Sequence, residues 1–243
     1  MTETAMNINE LDRISEEAFK VFRSNIEFLQ VDKKLKTLTI TSSIPDEGKS
    51  TTAYYLGAAM AQNGSRVLVV DADLRKPLFL KNLKTESTKG LSNFILGRCT
   101  LEEIIHKTAV RNLCYVTCGV KPPNPVELLN SHRFRDFISA SSEQFDMVIF
   151  DTPPLGSVID AAVIASKTDA TIMVIQPKKV DYKLAQSVKG QLEKANARIL
   201  GVVLNRVDKS RNHKQYYYLN DYYGGKPSRA PIRERKLRQE NTR

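Results

Sequence analysis

Lys49 and Ser50 close the loop Ser43-Ile44-Pro45-Asp46-Glu47-Gly48-Lys49-Ser50-Thr51, which leaves a beta-like run, Leu38-Thr39-Ile40-Thr41-Ser42, and enters a helical pattern at once. Strand, turn-prone loop and helix in this order build an anion site. Successive backbone N–H groups and the helix N-terminus point at one place, and a phosphate supplies the compensating charge. In that setting Lys49 reaches the outer phosphates and the Ser50 hydroxyl binds a magnesium ion. The first Gly of the general G-x-x-x-x-G-K-[ST] pattern is replaced by Ser43. A bare G-K-S-T string arises at many turn–helix junctions, so its place between strand and helix carries the weight.

Two more clusters have the right chemistry. Val67-Leu68-Val69-Val70 delivers Asp71-Ala72-Asp73-Leu74-Arg75-Lys76-Pro77, and Met147–Phe150 delivers Asp151-Thr152-Pro153-Pro154. Magnesium takes one or two carboxylates, a hydroxyl, waters and phosphate oxygens. Ser50, Asp151 and one of Asp71 and Asp73 meet that need. A single Asp after a strand is as readily a helix cap. Three carboxylates converging beside a phosphate loop are not explained that way.

These residues need a scaffold that brings strand ends together. Apolar runs at Val67–Val70, Leu113–Val116, Met147–Phe150, Thr171–Ile175 and Ile199–Leu204 read as strands buried on both faces. Helical patterns fall between them: Ser50–Gln62, closed by Asn63-Gly64, then Val126–Ser139, Val158–Ser166 and Asp181–Ala195. An amphipathic helix, or two in line, over Glu10–Gln30 precedes the first strand. Alternating strands and helices predict an α/β fold, a doubly wound and mostly parallel sheet with helices on both faces, which places ligands at the carboxyl ends of its strands. The pattern breaks after Arg206. One domain is therefore expected over 1–206, followed by a flexible, tyrosine-rich and then basic tail over 207–243.

Composition agrees with a soluble globular protein: 41% hydrophobic and 26% charged residues, with a net charge of +10. Seven Lys/Arg against two Glu leave +5 in residues 226–243, which reads as a solvated end rather than a nucleic-acid site. No apolar run spans a bilayer and the polar start is unlike a signal peptide, so a cytoplasmic location is expected. Cys99, Cys114 and Cys118 form no C-x-x-C pair and read as structural thiols. Tyr54, Tyr55 and Tyr115 fall on predicted elements. Five of the nine tyrosines, Tyr216, Tyr217, Tyr218, Tyr222 and Tyr223, crowd into a segment with no helical or strand period.

Together these strings resemble the bacterial tyrosine kinases of capsule and exopolysaccharide operons (BY-kinases), in the form of the separate kinase subunit of Gram-positive bacteria. Pro45–Ser50 resembles the family's Walker A, Val69–Pro77 its Walker A′ and Val148–Pro154 its Walker B. Gly119–Leu129 is similar to its proline-rich segment, and Tyr216–Gly224 to its tyrosine cluster. Two positions depart from the pattern. Asp46 stands where Gly is usual after the proline; Asp tolerates a left-handed backbone but adds negative charge near phosphate. On the N-terminal helix, Glu17–Phe28 resembles the ring-assembly motif, with Lys20 for Arg and Ser24 for Thr.

The resemblance implies ATP and Mg2+ as cofactors, with Lys49, Asp71, Asp73 and Asp151 catalytic. Nucleotide would be held by Ser43, Pro45, Asp46, Glu47, Gly48, Lys49, Ser50 and Thr51, with Asn205 and Arg206 at the adenine. Magnesium would be held by Ser50, Asp73 and Asp151, and one of Asp71 and Asp73 would take the proton of a protein tyrosine. It implies autophosphorylation of the tail tyrosines and control of polysaccharide export. It also implies a homo-oligomer, with a ring expected, assembled through Glu17, Lys20, Arg23 and Asn25. A separate transmembrane adaptor would recruit the kinase to the inner face of the cell membrane; no nucleic acid is expected. The rival is a ParA/MinD-type ATPase switch, which places a lysine where this chain has Ile44 and, in MinD, ends in an amphipathic membrane helix that Ile232–Glu240 is too polar to form. An iron–sulfur carrier of this fold would want a C-x-x-C pair, and Cys114 and Cys118 are spaced C-x3-C.

Overall fold

A computed structural model describes residues 11–30, 34–76 and 89–207. Among the described residues the sheet has seven strands: β1 (Thr37–Ser42), β2 (Val67–Asp71), β3 (Ile105–Lys107), β4 (Leu113–Val116), β5 (Met147–Asp151), β6 (Ala170–Ile175) and β7 (Ile199–Leu204). Their spatial order is β3-β4-β2-β5-β1-β6-β7, and every pairing is parallel except β3 with β4. The helices are α1 (Arg13–Phe28), α2 (Lys49–Gln62), α3 (Leu91–Ile95), α4 (Pro125–Asn130), α5 (His132–Gln144), α6 (Asp160–Ala165) and α7 (Tyr182–Lys194).

Strand β2 shows why the central runs are continuously apolar. Val67 and Val69 pack into one core with residues of α1 and α2, while Leu68 and Val70 point into the other with Phe134 and Phe137 of α5. With a period of two, both faces need apolar side chains. A third cluster joins Met173 of β6 to residues of α6 and α7. The chain goes from β1 outward to β2 and β4 on one side, and from β5 across β1 to β6 and β7 on the other. The order therefore reverses at β1, and the crevice at the carboxyl ends of β1, β2 and β5 is the ligand position for such a sheet.

Three local features differ from the sequence expectation. The helical pattern over Val126–Ser139 is two helices, because Ser131 (φ −66, ψ 160) ends α4 and caps α5: its Oγ donates to Leu128 O at 2.6 Å and accepts from Phe134 N at 3.2 Å. The break turns Phe134 and Phe137 onto Phe150 of β5, at ring separations of 5.9 and 6.2 Å. The short helix α3 and the antiparallel edge strand β3 are additions that three to five residues are too few to signal by periodicity. The N-terminal segment is one helix, capped by Asp12, whose side chain accepts from Ser15 N at 2.7 Å. Tyr54, Tyr55 and Tyr115 are buried, as read from their elements. Tyr216, Tyr217, Tyr218, Tyr222, Tyr223 and Pro77 lie outside the described residues.

Candidate functional site

The loop between β1 and α2 is held by its own sequence. Gly48 takes a left-handed backbone (φ 91), and a Cβ there would collide with Asn205 Nδ2, so glycine is required. Asp46 is left-handed too (φ 60), the conformation that the departure from glycine at this position requires.

Glu47 is fully buried and its carboxylate accepts three peptide N–H groups: Ser43 and Ile44 at 2.9 Å on Oε2, and Gln176 at 2.8 Å on Oε1. The first two amides of the loop are thus already engaged. Those left to face a phosphate begin further along, towards Gly48, Lys49 and Ser50 at the start of α2. The loop carbonyls are tied from the far side of the sheet. Asn205 Nδ2 donates to Glu47 O at 2.8 Å, and Arg206 Nη1 donates to Asp46 O at 2.9 Å. Lys179 Nζ reaches Asp46 O at 3.3 Å. Asn205 and Arg206, expected from the sequence at the adenine, brace the phosphate loop. Sequence reasoning missed the roles of Glu47 and Lys179 in this clamp, because they depend on chain segments about 130 residues apart.

Two of the three carboxylates lie side by side at the sheet edge. Asp71 and Asp151 are register partners at the ends of β2 and β5, exposed by 1% and 3%, and Lys49 is 7% exposed at the start of α2. Asp71 accepts the peptide N–H of Asp73 at 3.1 Å. Asp73 is half-buried and accepts from Arg75 N at 3.1 Å and Lys76 N at 2.9 Å on one oxygen. Burial pushes the Asp151 carboxyl up to about 7, with Asp73 adding to the rise, while a hydrogen bond with Ser50 and the Lys49 charge oppose it. Its Oδ1 is buried without a hydrogen-bond partner among the described residues.

An unsatisfied buried carboxylate oxygen beside the Ser50 hydroxyl suits a hard divalent cation. Among the described residues no cluster of three or more His, Cys, Asp or Glu side chains forms a ready metal cage. A magnesium ion that arrives with a nucleotide needs fewer protein ligands. All three cysteines are free thiols, and burial pushes Cys118 up to about 12 with Asp71 and Asp73 adding to the rise, so it is inert at neutral pH.

On α1 the assembly candidates pair within the helix: Lys20 with Glu17 at 2.8 Å and Glu16 at 2.9 Å, and Arg23 with Glu27 at 3.4 Å. Asn25 lines a cleft of about 200 Å3 with Phe22, Ile26 and Leu29 against β7. Val21, Phe28 and Leu29 of this helix region are exposed apolar residues. Among the described residues no helix is long and apolar enough to cross a membrane.

A family model described as an AAA domain matches residues 35–199. The chain is 36% identical over 218 residues to a tyrosine-protein kinase, YwqD, of Bacillus subtilis, covering 90% of this chain and 92% of that protein. Among solved structures, the chimerical protein CapA2B2 superposes with a TM-score of 0.78 at 35% identity, over 84% of this chain and 89% of that one. The kinase domain of Escherichia coli tyrosine kinase ETK gives a TM-score of 0.79 at 30% identity, over 86% and 81%. The Pyrococcus horikoshii septum site-determining protein MinD, solved with Mg-ADP, shares the fold at a TM-score of 0.61 and 24% identity, over 72% of this chain and 71% of that one.

Proposed function

The chain belongs to the bacterial tyrosine-protein kinases, and on that premise we propose that it transfers the γ-phosphoryl group of ATP to protein tyrosines at the crevice between Lys49, Asp71, Asp73 and Asp151. The observation that carries this assignment is the second acidic strand end: Asp71 stands beside Asp151 next to the phosphate loop, where an ordinary ATPase needs a single one.

Phosphoryl transfer asks a protein mainly to position its reactants and to stabilise charge. Lys49 and the amides at the start of α2 hold the β- and γ-phosphates, with Glu47 keeping the loop in shape. Ser50 and Asp151 would hold a magnesium ion with the nucleotide, and the ion would neutralise phosphate charge. Asp71 faces the same edge from β2. Asp73, given a share of the magnesium in the sequence reading, is half-buried and so is the carboxylate that an incoming tyrosine hydroxyl can reach. It would orient the hydroxyl and accept its proton. Asn205 and Arg206 would meet the adenine from the end of β7.

The tail tyrosines Tyr216, Tyr217, Tyr218, Tyr222 and Tyr223 are the proposed acceptors. A ring of subunits joined through α1, and a transmembrane adaptor that brings the kinase to the inner membrane face, complete the reading, with capsular or exopolysaccharide export as the process controlled. Purified protein supplied with labelled ATP and magnesium should form phosphotyrosine. Lys49→Met should lower the rate by at least about 100-fold, because it removes a charge aimed at the transferring group. Undiminished labelling of the Lys49→Met protein would overturn the site.

A further inference from the structure

Arg75 lies four residues beyond the end of β2, and its two ends do different things. Its guanidinium grips Asp160 in a two-pronged bond, Nε to Oδ2 at 2.8 Å and Nη2 to Oδ1 at 2.9 Å. Its peptide N–H donates to Asp73 Oδ1 at 3.1 Å. Asp160 is the first residue of α6, the helix after the Asp151-Thr152-Pro153-Pro154 turn, and it is wholly buried. Asp73 Oδ1 also accepts from Lys76 N, and Asp71 Oδ1 accepts from Asp73 N. The carboxylates after β2 are thus oriented by the peptide groups of their own turn, and Arg75 fixes that turn to α6.

We propose that Arg75 is the positioning residue for Asp73, and that its forked bond to Asp160 locks the turn after β2 to the segment after β5, so that the Asp73 carboxylate keeps a fixed place beside the two strand ends. The rate readout of this inference rests on the kinase reading above; the exchange readout does not. The guanidinium is 39% exposed but Asp160 is wholly buried, so removing Arg75 alone leaves a buried carboxylate without its partner, and the double variant with Asp160→Asn separates that cost from loss of the lock. Its planar fork is what a carboxylate can hold at a fixed angle, and an ammonium on a flexible stem cannot do the same. With the fork gone, the turn after Leu74 can rotate and the Asp73 carboxylate turns with it. Lys49, Glu47 and the amides of α2 belong to other segments, so nucleotide binding is left in place.

The test uses the full chain with Arg75→Lys, Arg75→Met and Asp160→Asn, and the Arg75→Met/Asp160→Asn double variant. Arg75→Lys should lower kcat about tenfold and Arg75→Met further, with KM for ATP and the affinity for ADP each within about twofold of wild type. The double variant should lose no more than the worse single one, since both act on one bond. Hydrogen exchange of the peptide N–H groups of Arg75 and Lys76 should accelerate about tenfold in each variant, while β1 and β5 exchange as in wild type. Unchanged kcat in folded Arg75→Met protein overturns the proposal. So does a kcat loss matched by equal loss of ADP affinity and faster exchange across the sheet, which marks a merely structural pair. If wild type forms no phosphotyrosine, the kinase reading fails. The exchange rates at Arg75 and Lys76 still decide whether the lock exists, and unchanged rates in Arg75→Met overturn it.

Discussion

Asp71 and Asp151 are direct partners across the parallel β2–β5 pair, both buried at the edge where the phosphate loop opens. Ala72 N donates to Asp151 O at 2.8 Å, which continues the ladder one step beyond the carboxylates and fixes their separation by strand geometry rather than by loop conformation. The protein thus concentrates carboxylates at the edge where the phosphate loop opens.

The pH dependence of the ligand-free protein should carry the mark of Asp151. Its folded pKa of about 7 lies above the ordinary carboxylate value of 3.8. The folded state therefore binds this proton more tightly than the unfolded state does. The resulting stability is fully present below the unfolded value and is lost as pH rises through the folded one, between about 4 and 7. The loss is on the order of a few kcal/mol at most. Asp151→Asn should flatten this slope and raise the thermal midpoint of the nucleotide-free protein at pH 8. A midpoint that falls in Asp151→Asn at pH 8 contradicts the assignment of burial as the dominant cause.

Glu47→Gln should loosen the phosphate loop. A glutamine amide offers one acceptor oxygen and one donor NH2, so either the Ser43 and Ile44 amides or the Gln176 amide lose their partner. Each buried N–H left without one costs about 1–3 kcal/mol. ADP affinity, measured by calorimetry, should fall at least about tenfold, with a lower thermal midpoint. Wild-type ADP affinity in Glu47→Gln would show that this clamp does not set the loop.

Reversing Glu17 and Arg23 together should produce smaller assemblies in light scattering. Each residue has a partner on its own helix, and such pairs contribute only about 0.3–0.5 kcal/mol, so the fold should survive. A size unchanged from wild type would remove this face of α1 from the assembly.

Tail phosphorylation should run between subunits. From Asp208 a segment extends at most about 3.5 Å per residue, so Tyr218 reaches roughly 35 Å, enough for a neighbouring site. Each phosphate adds close to two negative charges and should repel the tail from the carboxylates, loosening the assembly. Mixing Lys49→Met protein with an active one in which Tyr216, Tyr217, Tyr218, Tyr222 and Tyr223 are all Phe should place phosphotyrosine on the Lys49→Met chain. Labelling that never reaches it, under conditions where wild type labels itself, rules out transfer in trans.

What could be read from the residues alone was whatever their own neighbours determine. The doubly faced apolar runs required a parallel sheet, since buried strands need apolar side chains on both sides, and the loop before Lys49 needed only local backbone preference to be recognised. The positions of Asp71 and Asp151 were legible because each ends an apolar run, with Asp73 two residues beyond, and parallel strands all deliver their ends to one edge. The rest depended on segments remote in sequence meeting in space. Glu47 finds Gln176, Arg206 finds Asp46 and Arg75 finds Asp160 only after the sheet order is set, since no local period encodes which strand ends become neighbours. Ser131 splits a continuous helical pattern in two because its hydroxyl bonds both flanking turns. The raised Asp151 carboxyl, likewise, follows from the packing that buries it, which the identity of the residue does not contain.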